Sequence, residues 1–308
     1  MGFVGGGGAS MSKETLWRPL DIAKAAAARR GAHQVVLAGS GTEFLFFIAN
    51  KDGRQEGYRI PKTPEFNTAN NRGVSARDLQ LQEMALADWA TSNGIPSAEP
   101  LDFFEQHGYP VLVLEVVEDD GSVLDSSALG AVMSRMHEKP VPSLALVAQN
   151  GSSIHSRIVE RLVQRYDVLG EDTELPSLPP NREMIGSLEK YLGQPRLTHL
   201  DLRRQNVRVR NGQPESIFDW SNALVAAPEV ELARVQEYAA IAENGLNYED
   251  FCAGYAHQDA GAMNDSPAWP ILRLDTAVML AVVFSSVAPN KDLRTMFLGR
   301  VRELVSQL

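Results

Sequence analysis

The sequence predicts an α+β chain of two lobes, a small β-rich N-lobe with one helix followed by a larger, mainly helical C-lobe. Three observations carry this. Runs rich in β-branched and aromatic residues crowd the first 117 positions. Beyond about residue 126 the apolar spacing changes to the helical period. That helical region is broken once, by the polar stretch THLDLRRQN (Thr198 to Asn206), which feeds a short hairpin.

In order along the chain, HQVVLAG and TEFLFFIAN read as two strands joined across Gly39-Ser40-Gly41, and GYRIPK as a third after the turn at Lys51 to Gly53. From Ser75 to Thr91 the apolar residues Leu79, Leu81, Met84, Ala85, Leu86 and Trp89 fit one helix, stopped by Asn93-Gly94 and Pro96. A strand near Leu101 to Phe104 and the continuous apolar run YPVLVLEVV complete the N-lobe. SSALGAVMSRMHE, Ile154 to Leu169 and Arg182 to Leu192 then have helical spacing. VRVRNGQPESIFDW reads as two short strands across an Asn211-Gly212 turn. Helical patterns run from there to the C-terminus.

A chain of 308 residues with 44% apolar content can give each lobe its own core. One cysteine, Cys252, excludes a disulfide framework, and the histidines show no ligand spacing, so no transition-metal site is expected. The glycine-rich start lacks the features of a signal peptide. Residues 1–15 are read as a disordered extension or a tag remnant, 16–117 as the N-lobe and 118–308 as the C-lobe. With no uninterrupted apolar run of about 18 residues, no membrane span is expected, and the location expected is cytoplasmic. A net charge of −10 disfavours nucleic acid as a partner. Between Ser221 and Ser266 eight acids face one base, Arg234. They form either a solvated helical surface or a wall that attracts a cationic small molecule.

The polar stretch offers a specific chemistry. Asp201 can accept a proton, and Asn206 and Asp219 supply hard oxygen ligands suited to Mg²⁺ once the hairpin folds the second aspartate back. Phosphoryl transfer needs that division of labour. Upstream, the turn in AGSGTEF can bring backbone N–H groups to phosphates. A base on the third strand, Arg59 or Lys62, can hold them, and Glu83 can pin that base.

His199-x-Asp201-(x)4-Asn206-(x)12-Asp219-Trp220 resembles the catalytic signature of the aminoglycoside phosphotransferase and choline kinase-like family, within the protein-kinase-like superfamily. The supporting segments AGSGTEF, YRIPK, QEMALADWA, LVLEVV, LGAVMSRMHE and PEVELARV occur in the family's order, so the resemblance covers roughly Val35 to Val235. It implies a bilobal protein-kinase-like fold, and an ATP- or GTP-dependent, Mg²⁺-dependent transfer of the γ-phosphate to a small-molecule hydroxyl. Asp201 would be the catalytic base, and Asn206 and Asp219 the magnesium ligands, with His199 in structural support. Gly39, Ser40, Gly41, Arg59 (with Lys62 as the alternative), Glu83 and the hinge at Glu115, Val116 and Val117 would bind the nucleotide. Glu231 and Asp201 are assigned to the acceptor pocket.

Leu200 stands where the family has glycine, and Arg203-Arg204-Gln205 replaces its common His-Pro-Gly. Arg203 either steadies transition-state charge or, with Arg204, pairs with surface acids. The acid excess favours a cationic, antibiotic-type acceptor, as in resistance enzymes. The alternatives are a metabolic kinase of the sugar, choline or homoserine type, and a nucleotide-binding pseudokinase. A monomer or homodimer is expected.

Overall fold

The computed structural model describes residues 13–67, 72–149, 152–255 and 265–308. The chain divides into two compact units, the first running to Asp120 and taking in Glu215–Ser221, the second formed by Gly121–Pro214 and Asn222–Leu308.

The first unit is built on an antiparallel sheet. Strands β1 (His33–Ser40), β2 (Phe44–Lys51), β3 (Arg54–Pro61), β6 (Pro100–Gln106) and β7 (Tyr109–Glu115) lie in the order β1-β2-β3-β7-β6. The β2–β3 reversal falls on Asp52 and Gly53, both at positive φ (50° and 79°), as a tight hairpin requires. The strand, helix and turn assignments read from sequence hold here, with three additions. A short ribbon, β4 (Glu65–Asn67) with β5 (Arg72–Ser75), precedes the helix α2 (Ala76–Ser92). The first helix, α1 (Lys13–Arg29), was not anticipated, and it takes in residues 13–15 of the expected extension; the rest of that extension lies outside the described residues. Its Ile22, Ala23, Ala26 and Ala27 recur on one face and bury against Leu45, Phe47, Tyr58, Ile60 and Val113 of the sheet. Arg30 then ties the end of α1 to Glu56 at 2.8 and 2.9 Å and to Asp102.

The third addition is the segment Glu215–Ser221, which the sequence reading places in the C-lobe. Its backbone is captured by the first unit. Ile217 N donates to Pro96 O at 3.0 Å, and Gln82 Nε2 donates to Trp220 O at 2.7 Å. This explains why α2 buries Gln82 and Glu83, while the buried Gln80 meets Arg59.

The second unit is mainly helical: α3 (Ser126–Glu138), α4 (Ile154–Gly170), α5 (Asn181–Tyr191), α6 (Pro228–Ala239), α7 (Tyr248–Tyr255), α8 (Trp269–Val282) and α9 (Lys291–Val305). Asp125 caps α3 by accepting from Ser127 N and Ala128 N. Glycines let α3 and α7 touch backbone to backbone: a Cβ on Gly130 would sit 2.0 Å from Phe251 O, and one on Gly254 1.8 Å from Ser127 O. The expected hairpin is present as β9 (Val207–Arg210) and β10 (Gln213–Ile217), turning at Asn211 and Gly212 with φ of 51° and 80°. Two three-residue strands, β8 (Arg196–Thr198) and β11 (Leu224–Ala226), were too short to show in the sequence, and they pair antiparallel on either side of the polar stretch.

The expectation about membrane spans needs a correction, because Trp269–Val287 is long and apolar enough by length and composition to cross one. Its packing shows a core helix instead. α8 lies against α4, α6 and α9 and is buried along nearly its whole length, with Asp275 inside it paired to Arg165 and Arg234 at 3.4 Å each.

Candidate functional site

In the second unit the polar stretch leaves β8 and forms a loop held from beneath by α6. Leu200 sits at φ +62°, the left-handed region that favours glycine, which accounts for the glycine found there in the resembling family. Its side chain is 1% exposed. Glu231, at the start of α6, accepts from His199 N (2.9 Å) and Leu200 N (2.7 Å) with one oxygen and meets His137 Nε2 (3.0 Å) with the other. His137 Nδ1 in turn lies 2.6 Å from the Tyr255 hydroxyl. Burial pushes the Glu231 carboxyl up, but the His137 hydrogen bond and the charges of His137 and His199 outweigh it, so it titrates below the usual range. His199 Nδ1 accepts from Asp201 N at 3.2 Å, a hydrogen bond within the loop.

Three donors fix the Asp201 carboxylate. Tyr238 Oη donates to Oδ1 at 3.0 Å, and Asn206 Nδ2 (2.8 Å) and Arg203 Nη2 (3.2 Å) donate to Oδ2. Asn206 Nδ2 also donates to Asp201 O, so its amide hydrogens are spent inward and its Oδ1 is left as the acceptor. Arg204 turns away from Asp201, donating to Val207 O at 2.9 Å.

In the first unit a second cluster forms around Arg59, on β3. Its guanidinium donates to Gln80 Oε1 (3.0 Å), Asp219 Oδ1 (2.9 Å) and Ser221 Oγ (2.9 Å), and lies 3.5 Å from the centre of the Phe44 ring. Glu83 Oε2 is 4.0 Å away, and its two oxygens mainly accept from Asp219 N (2.9 Å) and Trp220 N (2.7 Å). Burial raises the Glu83 carboxyl above its ordinary range. The acid therefore positions Asp219 as much as it pins the base. Asp219 is at φ +68°, a strained value that these backbone bonds maintain.

Lys62, the alternative base, is placed elsewhere, with its ammonium donating to Gly41 O across the β1–β2 turn at 2.5 Å. In that turn Gly39 is part of β1, Ser40 ends it, and Gly41 N donates to Phe44 O. Glu115 ends β7 with its N–H on Glu99 O. The backbone groups of Val116 and Val117 have no hydrogen bond among the described residues.

Glu231 is a correction. It was assigned to the acceptor pocket, yet it is 1% exposed and all its bonds run to the loop backbone and His137. Nor do the eight acids make one wall: Glu237 is also buried and paired to Arg273 (2.6 Å) and Arg300 (3.3 Å), and Asp259 lies outside the described residues. Tyr238, Gln80 and Ser221 were missed. Tyr238 was traceable, since it shares a face of α6 with Glu231 and Arg234 at helical spacing.

Each unit offers an oxygen donor of the kind a hard cation takes, Asn206 Oδ1 in the second and the Asp219 carboxylate in the first.

The sequence matches the Phosphotransferase enzyme family (APH) over residues 62–270, and the chain belongs to that family. It is accordingly a phosphotransferase, a small-molecule kinase acting on hydroxyl groups. Among solved structures it resembles a ternary complex of aminoglycoside phosphotransferase APH(4)-Ia with ADP and hygromycin B. There the identity is 14%, with 92% of this chain and 97% of that one covered at a TM-score of 0.65. The gentamicin complex of APH(2″)-IIa gives 12%, 95% and 96% at 0.63. Plasmodium vivax ethanolamine kinase gives 13%, 91% and 84% at 0.58. These similarities establish the protein-kinase-like bilobal fold. No curated protein sequence matches the chain.

Proposed function

We propose that the protein transfers the γ-phosphate of ATP or GTP to a hydroxyl of a small molecule, with Asp201 as the base. The observation that carries this is the three-donor grip on Asp201. It keeps one carboxylate oriented while Asn206 presents an amide oxygen outward. Asp201 orients the acceptor hydroxyl and receives its proton as the oxygen attacks phosphorus. Arg203, held on Asp201 Oδ2, would steady charge that develops on the transferred group. Asn206 and Asp219 would hold Mg²⁺, which when bound neutralises phosphate charge. Arg59, steadied by Gln80 and Phe44, serves the nucleotide phosphates, Gly39 to Gly41 cover them, and the backbone at Glu115 to Val117 reads the base.

The structures resembled include antibiotic phosphotransferases and an ethanolamine kinase, so both acceptor classes enter the test. The acid excess that favoured a cationic antibiotic supports it less than its count suggests, because Glu231 and Glu237 are buried and bonded to partners within the protein.

A nucleotide-consumption screen over hydroxyl-bearing antibiotics and metabolites, with Asp201→Asn as control, tests the reading. An active acceptor should lose at least about a thousandfold in kcat with Asp201→Asn while Mg-nucleotide binding persists. Undiminished turnover by that variant, or no Mg-nucleotide binding by the native protein, would sink it.

A further inference from the structure

In the second unit four arginines, Arg157, Arg161, Arg165 and Arg234, gather around one buried carboxylate, Asp275. Arg157, Arg161 and Arg165 recur at every fourth residue along one face of α4. They grade from a partly exposed Arg157 to Arg165, which is buried. Three of the four arginines here have partners. Arg157 donates to Ala148 O and approaches Glu160; Arg165 meets Asp275; Arg234 meets Asp275 and donates to Leu200 O at 2.9 Å. Arg161, between Arg157 and Arg165, has no hydrogen bond or ion pair among the described residues. The Nε of Arg234, on a side chain 2% exposed, is also without a hydrogen-bond partner.

The chemistry of this arrangement points to a missing anion. Arg161 is only partly covered, so an anion from solvent can reach a guanidinium that sits among like charges. Around Arg161 the nearby charges are mostly of its own sign: Arg165, Arg234 and Arg157 repel it and Asp275 alone attracts it. Together with burial they press its pKa down to about 9. The cluster is also wired to the reacting end of the site, because Arg234 and Tyr238 lie one turn apart on α6 and Tyr238 donates to Asp201.

We propose that Arg161, backed by Arg165 and Arg234, recognises an oxyanion on the acceptor, so that the substrate is a hydroxyl compound bearing a carboxylate or a phosphate rather than a polycation. This rests on the phosphotransferase reading above. Arg161 forms the charged contact, the planar fork of its guanidinium suits a two-oxygen anion, and the acceptor hydroxyl is thereby directed toward Asp201. Bound this way, the anion relieves a repulsion that the ligand-free protein carries.

The full chain is assayed for Mg-nucleotide consumption with gluconate, glucose 6-phosphate, glucose, ethanolamine and kanamycin. Gluconate or glucose 6-phosphate should exceed glucose by at least about tenfold in kcat/KM, and the better of the two identifies the oxyanion. Arg161→Met should erase that preference through KM, and Arg161→Lys should restore part of it.

A second readout needs no turnover. Inorganic phosphate should raise the melting temperature of the native protein above that in sodium chloride of equal ionic strength, and Arg161→Met should abolish the difference. Ligand-free Arg161→Met should melt at the native temperature or above it, because an uncompensated charge has gone. A lower melting temperature would mark Arg161 as structural and overturn the proposal. So would turnover confined to ethanolamine or kanamycin, which would leave the phosphotransferase reading standing. If nothing turns over and phosphate has no specific effect, the proposal fails alone when Mg-nucleotide still binds, and together with that reading when it does not.

Discussion

At the scale of single residues, Leu200 and Glu231 show what the catalytic loop costs and what holds it. Leu200 occupies left-handed backbone at φ +62° with a buried side chain, so two effects oppose each other there. Leu200→Ala removes packing and keeps the strain, whereas Leu200→Gly removes slightly more packing and relieves roughly 1 kcal/mol of strain. Both variants should be less stable than the native protein, with glycine at least matching alanine in chemical denaturation; an alanine variant clearly the more stable would contradict this reading of the backbone. Glu231→Ala leaves two loop N–H groups and His137 without their acceptor. It should cost about 3 kcal/mol in urea unfolding, beyond any loss of activity. A change below about 1 kcal/mol would refute the assignment of Glu231 to the loop's support.

At the scale of elements, α1 is held to its sheet by an apolar face and, just past its end, by one charge cluster. The Arg30 hydrogen bond is the largest influence on Glu56. With help from the Tyr58 hydroxyl and the charges of Arg30 and Lys51, it lowers that carboxyl from 4.5 to about 2 against the cost of burial. A carboxyl depressed in the folded state stabilises fully above its unfolded pKa, and that contribution fades as pH falls from about 4.5 toward 2. The contribution is on the order of 3 kcal/mol. Glu56→Gln should therefore be less stable at pH 7, and its stability should fall less steeply through that acid window. A variant with the native acid profile would disconnect Glu56 from the effect. The α3–α7 crossing makes a steric prediction. Gly130→Ala would place a methyl 2.0 Å from Phe251 O, a backbone atom that cannot rotate away, so the helices must separate. A loss of at least about 2 kcal/mol is expected in thermal or urea unfolding.

At the scale of the whole molecule, Mg-nucleotide at about 100 times its Kd should add about 2.7 kcal/mol of stability. For a chain of 308 residues this is a melting-temperature rise of a few degrees. Asp219→Asn should lose the magnesium dependence of that rise while keeping its fold, because Glu83 holds the backbone at 219 and 220 and not the side chain. An unfolded Asp219→Asn protein would assign Asp219 a structural role instead.

Much of this was legible in the residue order alone. Periodicity gave the sheet strands, α2 and the helices from α3 to α5, because their signals are local: alternation, helical spacing and turn glycines. The same locality exposed Asp201, Asn206 and Asp219, whose spacing lies within one loop and one hairpin. What escaped depends on partners distant in sequence. An alanine-rich α1 is too weakly patterned to announce the face it buries, and β8 and β11 exist because they pair with each other. Segment 215–221 joined the first unit through Glu83, Gln82 and Pro96, more than a hundred residues away. Only the tertiary structure decided that Arg59 and not Lys62 meets Asp219, and that Glu231 faces inward. It alone left Arg161 among cations, since charge in a sequence is a count and its sign at a point depends on which side chains packing brings together.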